Sequence, residues 1–286
     1  MILRAEDRVA VWGITGRQAS FWTERMIAYG TCVVGGINPA RPGTSHLGLP
    51  VWGRAAEAAR FDVALLFVPP AAVREATLDA LSARPRTVII LAEHVPLHDM
   101  MIVHVAARRA GVRIIGANTA GLATPGAAFA GIMPAFNDRI FRPGRVGVVS
   151  RSGSLGALVC LNLVRAGYGQ SAFIGVGGDT LPGTTSRDAL EALEADPRTA
   201  AAVLLGEIGG GMEQEAAAFV RGMSKPVVAF IAGAAAPPGK RMGHAGAIIG
   251  AAGEGYAAKR QALEAAGAIV VATPGELPAA LHDKGI

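Results

Sequence analysis

Arg8-Val9-Ala10-Val11-Trp12-Gly13-Ile14-Thr15-Gly16-Arg17-Gln18 begins the first regular stretch of this 286-residue chain. Residues 8–12 read as a short apolar strand, the glycines as a turn, and the residues up to about 29 as a helix. A strand, a glycine-rich turn and a helix point unpaired backbone amides at whatever lies beyond the strand, so Thr15, Gly16, Arg17 and Gln18 form a candidate phosphate-binding helix start. Two glycines stand where the dinucleotide fingerprint has three. Taken alone, the motif also fits a plain strand-to-helix connection.

The same alternation continues outward from this turn. Residues 31–37, 63–68, 87–91 and 112–115 are strand-like, and 71–83 and 97–110 are helical in pattern. The run 63–68 is apolar throughout, as a parallel strand buried on both faces must be. Strands and helices at this spacing predict a doubly wound parallel sheet, with ligands bound beyond the carboxyl ends of its strands. Arg17, Gln18, Arg41, Glu93 and Asn118 all fall in loops at that edge. Residues 121–144 carry Pro125, Pro134 and Pro143 with several glycines and show no long period, so they read as an ordered interdomain crossing.

Composition narrows the class. Apolar residues make up 51% of the chain and charged residues 17%, which places it among globular proteins. No apolar run reaches the length of a membrane span, and the first residues lack the apolar core of a signal peptide. Cys32 and Cys160 lie in apolar surroundings and read as buried thiols of a reducing compartment, which gives a cytoplasmic expectation with no metal site in this chain. The net charge of +5 suits a polyanionic ligand or an acidic partner chain. Nucleic acid is disfavoured because aromatics are only 5% and the cations form no stripe.

A second alternating unit follows. Strands are predicted at 145–150, 171–176, 200–205, 226–231 and 269–272, and helices at 153–166, 188–195, 212–222, 256–266 and 274–282. The turn Arg151-Ser152-Gly153-Ser154 opens a helix with two hydroxyls and an arginine, a second anion cradle unless a serine merely caps the helix. Gly239-Lys240-Arg241-Met242-Gly243-His244-Ala245-Gly246-Ala247-Ile248-Ile249-Gly250 places one imidazole among small residues with two cations before it. A neutral imidazole near its ordinary pKa of about 6.5 is a competent nucleophile. These residues alone leave open a glycine-rich turn with an incidental histidine. Glu207 follows a strand of the same sheet and is the candidate carboxylate to fix the His244 tautomer.

Several motifs then occur in a recognisable order: Gly13-Ile14-Thr15-Gly16-Arg17-Gln18, Thr44-Ser45-His46-Leu47-Gly48-Leu49-Pro50, Ser150-Arg151-Ser152-Gly153, Gly177-Gly178-Asp179, Gly206-Glu207-Ile208-Gly209-Gly210 and the histidine stretch 239–249. With them the chain resembles the α subunit of succinate–CoA ligase (succinyl-CoA synthetase) and relatives such as malate–CoA ligase, over nearly its whole length. The resemblance implies a Rossmann-like CoA-binding domain over 1–121, a connection over 122–144 and a flavodoxin-like ligase domain over 145–286. It implies that His244 is transiently phosphorylated, that Glu207 orients it, and that Ser152, Gly153 and Ser154 cradle the phosphoryl group. By the same resemblance Thr15, Gly16, Arg17, Gln18, Pro39, Arg41, Val68, Leu91, Ala92, Glu93 and Asn118 contact CoA, with Arg41 where the family usually has a lysine. ATP or GTP with Mg²⁺ is implied on a separate ATP-grasp β subunit, in an αβ or α2β2 assembly.

The sequence departs from the family at Ala157 and Leu158, where a tyrosine and a glutamate are usual, and at Thr119-Ala120, where Cys-Pro is usual. Ala157 is the position associated with the organic acid. Losing a phenol and a carboxylate there changes selectivity, which points to malate or another non-succinate acid as an alternative substrate. A CoA-binding protein without turnover is the remaining alternative.

Overall fold

The computed structural model describes residues 1–237 and 239–286, with Ala252 described by its backbone alone. Its first half carries β1 (Val9–Trp12), α1 (Arg17–Tyr29), β2 (Val33–Ile37), β3 (Ser45–His46), β4 (Leu49–Trp52), β5 (Val63–Leu66), α2 (Val73–Ser82), β6 (Thr87–Ile90), α3 (Leu97–Ala110) and β7 (Arg113–Gly116). Strand order in this sheet is β3-β4-β2-β1-β5-β6-β7. All pairs are parallel except β3 with β4. Without the short edge strand β3, this is the Rossmann order 3-2-1-4-5-6. The chain reverses direction across β1, so the crevice for a ligand opens between the ends of β1 and β5.

The second half carries β8 (Gly121–Thr124), β9 (Ala128–Gly131), β10 (Pro143–Ser150), α4 (Gly153–Arg165), β11 (Gln170–Gly175), α5 (Ser186–Ala195), β12 (Ala201–Glu207), α6 (Met212–Val220), β13 (Val227–Ala232), α7 (Tyr256–Ala265), β14 (Ile269–Val271) and α8 (Leu277–His282). The sheet runs β14-β13-β12-β10-β11-β8-β9. Its five parallel strands have the flavodoxin-like order 2-1-3-4-5, with the β8–β9 hairpin added antiparallel beside β11. Here the reversal falls between β10 and β12, so Arg151 and Glu207 stand on either side of the crevice.

The stretch expected to be only a connection, 122–144, therefore contains sheet. Its two strands are short and buried at every position. Strands of this kind have no polar alternation to reveal them. The hairpin also binds the first half of the chain. Thr31 Oγ1 donates to the Phe129 carbonyl at 2.9 Å and accepts from the Phe129 amide at 3.1 Å, and Thr124 Oγ1 donates to the Leu3 carbonyl at 2.6 Å. Tyr29 meets the edge of Phe129 at 5.4 Å.

Side-chain alternation on β1 shows where the cores lie. Val9 and Val11 join a cluster that runs through α1, the hairpin and the whole second sheet, whereas Ala10 and Trp12 face a smaller cluster under α2 and α3. The larger core includes Cys160, but Cys32 is exposed, contrary to the expectation for it. The inward place just before β2 is taken by Thr31. Phe173, 1% exposed, anchors the larger core edge-on to Phe141 at 5.8 Å. Phe173→Ala is expected to lower unfolding stability by about 3–5 kcal/mol, read as a drop in the urea midpoint at unchanged slope.

Candidate active site

At the carboxyl edge of the first sheet, the turn after β1 presses directly on the end of β5. Gly13 has φ of 74°, and a Cβ there would stand 2.4 Å from the Phe67 carbonyl oxygen, so no other residue fits. Gly16 is the N-cap of α1 and offers no side-chain cap, which leaves the first amides of the helix free for a ligand. Asn38, just past β2, donates to Thr15 Oγ1 at 2.6 Å and fixes the turn from the side.

Two cavities meet at this turn. One, of about 620 Å³, includes Thr15, Gly16, Pro39 and Val68 in its lining; the other, of about 670 Å³, includes Gly16, Arg17, Gln18, Val68, Leu91 and Ala92. Arg41, Glu93 and Asn118 line neither. Arg41 and Glu93 are exposed loop residues, Glu93 lying 3.6 Å from His94. The Asn118 amide donates to the Ala92 carbonyl at 2.8 Å, and its carbonyl accepts from the Gly178 amide at 3.1 Å. Its Nδ2 is buried without a partner. A bare helix start, an apolar-walled groove and an orphaned amide fit the phosphates and the long amide-bearing arm of CoA.

At the second edge the predicted pair is made. His244 Nδ1 lies 2.8 Å from Glu207 Oε2. Glu207 is the last residue of β12 rather than a loop residue, and so is held by the sheet. The imidazole rests on the turn after β11: a Cβ at Gly178 would come within 2.6 Å of the ring, and the Gly246 amide donates to the Gly178 carbonyl at 3.1 Å. The His244 side chain is 26% exposed against 10% for Glu207, so the ring is open to a ligand while its partner is shielded. The hydrogen bond to Glu207 is the first cause holding the His244 pKa above its ordinary value; burial and Arg151 oppose it. A carboxylate accepts only, so neutral His244 carries its proton on Nδ1 and presents a bare Nε2.

Two features mark the turn read as a candidate anion cradle or helix cap. Ser152 caps α4, its Oγ accepting from the Leu155 amide at 3.3 Å, and lies 3.3 Å from Ser154 Oγ. Arg151 turns inward: its side chain is 4% exposed, with Nε 3.2 Å from Glu207 Oε1 and Nη1 donating to the Gly209 carbonyl at 3.2 Å. A buried guanidinium needs a counter-charge, and the carboxylates lie inside. Ala157, in the second turn of α4, packs against the core, and Leu158 faces outward at 48% exposure. Neither cavity described above includes them. Among the described residues no cluster of three or more His, Cys, Asp or Glu is placed to hold a metal ion.

Sequence reasoning missed the next layer. Glu213 and Lys259 are fully buried, pair with each other, and reach Arg151 and the backbone of Glu207. Their signal was helical spacing, since Lys259 lies four residues before buried Leu263 on one face of α7. Breaking such a pair costs about 3–5 kcal/mol, more than the 1.5–3 kcal/mol of a single charged hydrogen bond. The network, rather than one bond, therefore holds Glu207 in place.

Residues 4–94 match the CoA binding domain family model and residues 149–269 the CoA-ligase model. A succinate–CoA ligase [ADP-forming] α subunit from Methanothermobacter thermautotrophicus is 46% identical over 96% of this chain and 94% of its own length. The chain belongs to the succinate–CoA ligase α-subunit family. Members at 40% identity include an ADP-forming sulfoacetate–CoA ligase subunit of Bilophila wadsworthia, covering 98% of both chains, and a malate–CoA ligase α subunit of Methylorubrum extorquens, covering 99% and 97%. The structure of Methanosaeta concilii ATP citrate lyase with (3S)-citryl-CoA superposes at a TM-score of 0.90 and 26% identity; this chain spans 51% of its length. Among the described residues no helix is long and apolar enough to cross a membrane.

Glu207→Gln removes the main cause that raises the His244 pKa and leaves burial to lower it, so the imidazole midpoint falls. The raised folded value means that the wild-type pair adds stability fully present below the unfolded pKa of about 6.5 and lost as pH rises through the folded value. The melting-temperature gap between wild type and Glu207→Gln is therefore expected to be widest in acid and to narrow as the pH is raised through that window. A gap independent of pH contradicts the assignment.

Proposed function

We propose that this chain is the α subunit of a nucleotide-dependent carboxylic acid–CoA ligase that works with a separate ATP-grasp β subunit. The reading rests on one observation above all: an accessible imidazole at the carboxyl edge whose Nδ1 is held by a buried carboxylate, leaving Nε2 as the nucleophile. In the thioester-forming direction Nε2 of neutral His244 attacks the terminal phosphorus of ATP or GTP held with Mg²⁺ by the partner. The N–P bond forms and the nucleoside diphosphate leaves. Glu207 keeps the proton on Nδ1 and offsets the positive charge of the phosphorylated ring. The start of α4, with the Gly153 and Ser154 amides and the Ser154 hydroxyl, is the local dipole that favours the phosphoryl group.

The phosphoryl group then passes to the acid's carboxylate as an acyl phosphate, regenerating His244. CoA supplies the thiol that takes the acyl group with release of phosphate. Dividing the reaction in this way replaces one difficult step by easier ones. Thr15, Gly16, Arg17, Gln18, Pro39, Val68, Leu91 and Ala92 hold CoA from the two cavities. Asn118 contributes its unpartnered amide, and Arg41 and Glu93 act from the rim. The protein works in the cytoplasm on this reading. With purified α and β chains, labelled ATP is expected to label the wild type and to leave His244→Asn unlabelled. Equal labelling of both removes His244 from the mechanism.

A second reading concerns only the acid. Ala157 and Leu158 present no polar group where the family commonly has two, and relatives named for sulfoacetate and malate stand at 40% identity beside succinate ligases at 42% and 46%. A site stripped of hydrogen-bond partners loses discrimination for the acid that used them. Across a panel of mono-, di-, hydroxy- and sulfo-acids, an acid other than succinate is expected to give a kcat/KM about tenfold or more above that of succinate. Succinate at the head of the panel overturns this second reading and leaves the first intact.

A further inference from the structure

The phosphohistidine reading uses His244 and Glu207 and leaves unused a buried ion pair directly behind them. Lys259 on α7 and Glu213 on α6 both have 0% exposed side chains. Lys259 Nζ donates to the Glu207 carbonyl at 2.9 Å, to the Gly209 carbonyl at 2.7 Å and to Glu213 Oε2. Three acceptors meet three ammonium protons, so the lysine is charged although burial pulls its pKa down. Glu213 Oε1 accepts from the Glu207 amide at 3.2 Å and lies 3.5 Å from Arg151 Nη1. The pair thus holds both backbone polar groups of Glu207, and the Glu213 stem is packed so closely that a Cβ at Gly206 would meet it at 2.7 Å.

Stability alone does not account for such a pair, because apolar residues of equal volume serve at least as well in a core. Its placement relative to Arg151 does. Arg151 lies between two carboxylates, and its Nε, 3.2 Å from Glu207 Oε1, is not aligned for a hydrogen bond. A guanidinium facing a single carboxylate prefers the two-pronged grip on both oxygens. That grip would take Oε2 from His244. Glu213 draws Nη1 to the other side and prevents it.

We propose that Glu213 and Lys259 are positioning residues for His244: together they clamp the end of β12 by its backbone and share Arg151, so that one oxygen of Glu207 stays on Nδ1. The proposal rests on the phosphohistidine reading. The charged groups acting on the imidazole are Glu207, Arg151 and Glu93, with Glu213 and Lys259 behind them. Loss of the Glu213 charge frees Arg151 to compete for Glu207, and the imidazole is then less readily protonated. Loss of the Lys259 charge as well restores the local balance without restoring the clamp.

The test uses the full-length chain, with its β subunit present for labelling. The His244 resonance is assigned by difference against His244→Asn, and its titration and nitrogen shifts are followed by NMR. In Glu213→Gln the His244 midpoint is expected to fall and labelling from ATP to slow about tenfold, as when an orienting partner of a histidine is lost. In Glu213→Gln/Lys259→Met the midpoint is expected to return toward wild type while labelling stays slow. A folded Glu213→Gln chain that melts earlier but keeps the wild-type midpoint and Nδ1–H tautomer shows a purely structural pair and overturns the proposal. If the single variant does not fold, the charge-balanced double variant decides, and wild-type labelling by it overturns the clamp. A wild-type chain that takes no label while its midpoint still falls in Glu213→Gln supports the positioning and removes the phosphoryl reading.

Discussion

The carboxylate of Glu207 has two oxygens and two neighbours that need them. One oxygen fixes the His244 tautomer; the other faces a buried arginine. Everything around it limits the freedom of that single group. It ends a strand instead of riding on a loop, its backbone is hydrogen-bonded by residues from two helices, and the ring it orients has a glycine floor. A nucleophilic imidazole needs a fixed proton more than it needs a strong base nearby. This arrangement supplies the first at the cost of burying four charges.

Much of this could be read in the residues because of how doubly wound sheets are built. Apolar runs such as 63–68 and 200–205 mark parallel strands, and their carboxyl ends must share one edge, so Glu207 and His244 could be placed together from order alone. The turn after β1 was legible for the same reason. The family resemblance then supplied roles that spacing cannot.

Other features were hidden for identifiable reasons. Strands of four wholly buried residues around Pro125-Gly126 carry no period, so the β8–β9 hairpin read as a crossing. Arg151 beside two serines looks like an anion ligand until the fold places Glu207 and Glu213 behind it. Ser152 behaves as the common helix cap that its residue type also permits. Cys32 was assigned inward by its apolar neighbours, but the chain there turns Thr31 inward instead. The last of these depends on which of two adjacent residues faces the core, which composition does not determine.

The peptide at Asn118 connects the two halves of the molecule over the length of one residue. Its amide is bonded to Ala92, in the wall of the groove, and its carbonyl to Gly178, the floor beneath the imidazole. Those two bonds hold both edges against one residue, since a hydrogen bond tolerates little stretching. The two ligand-facing edges are therefore set at a fixed span. On the proposed chemistry, a reactant passing from one edge to the other carries its own reach, as a long flexible arm does.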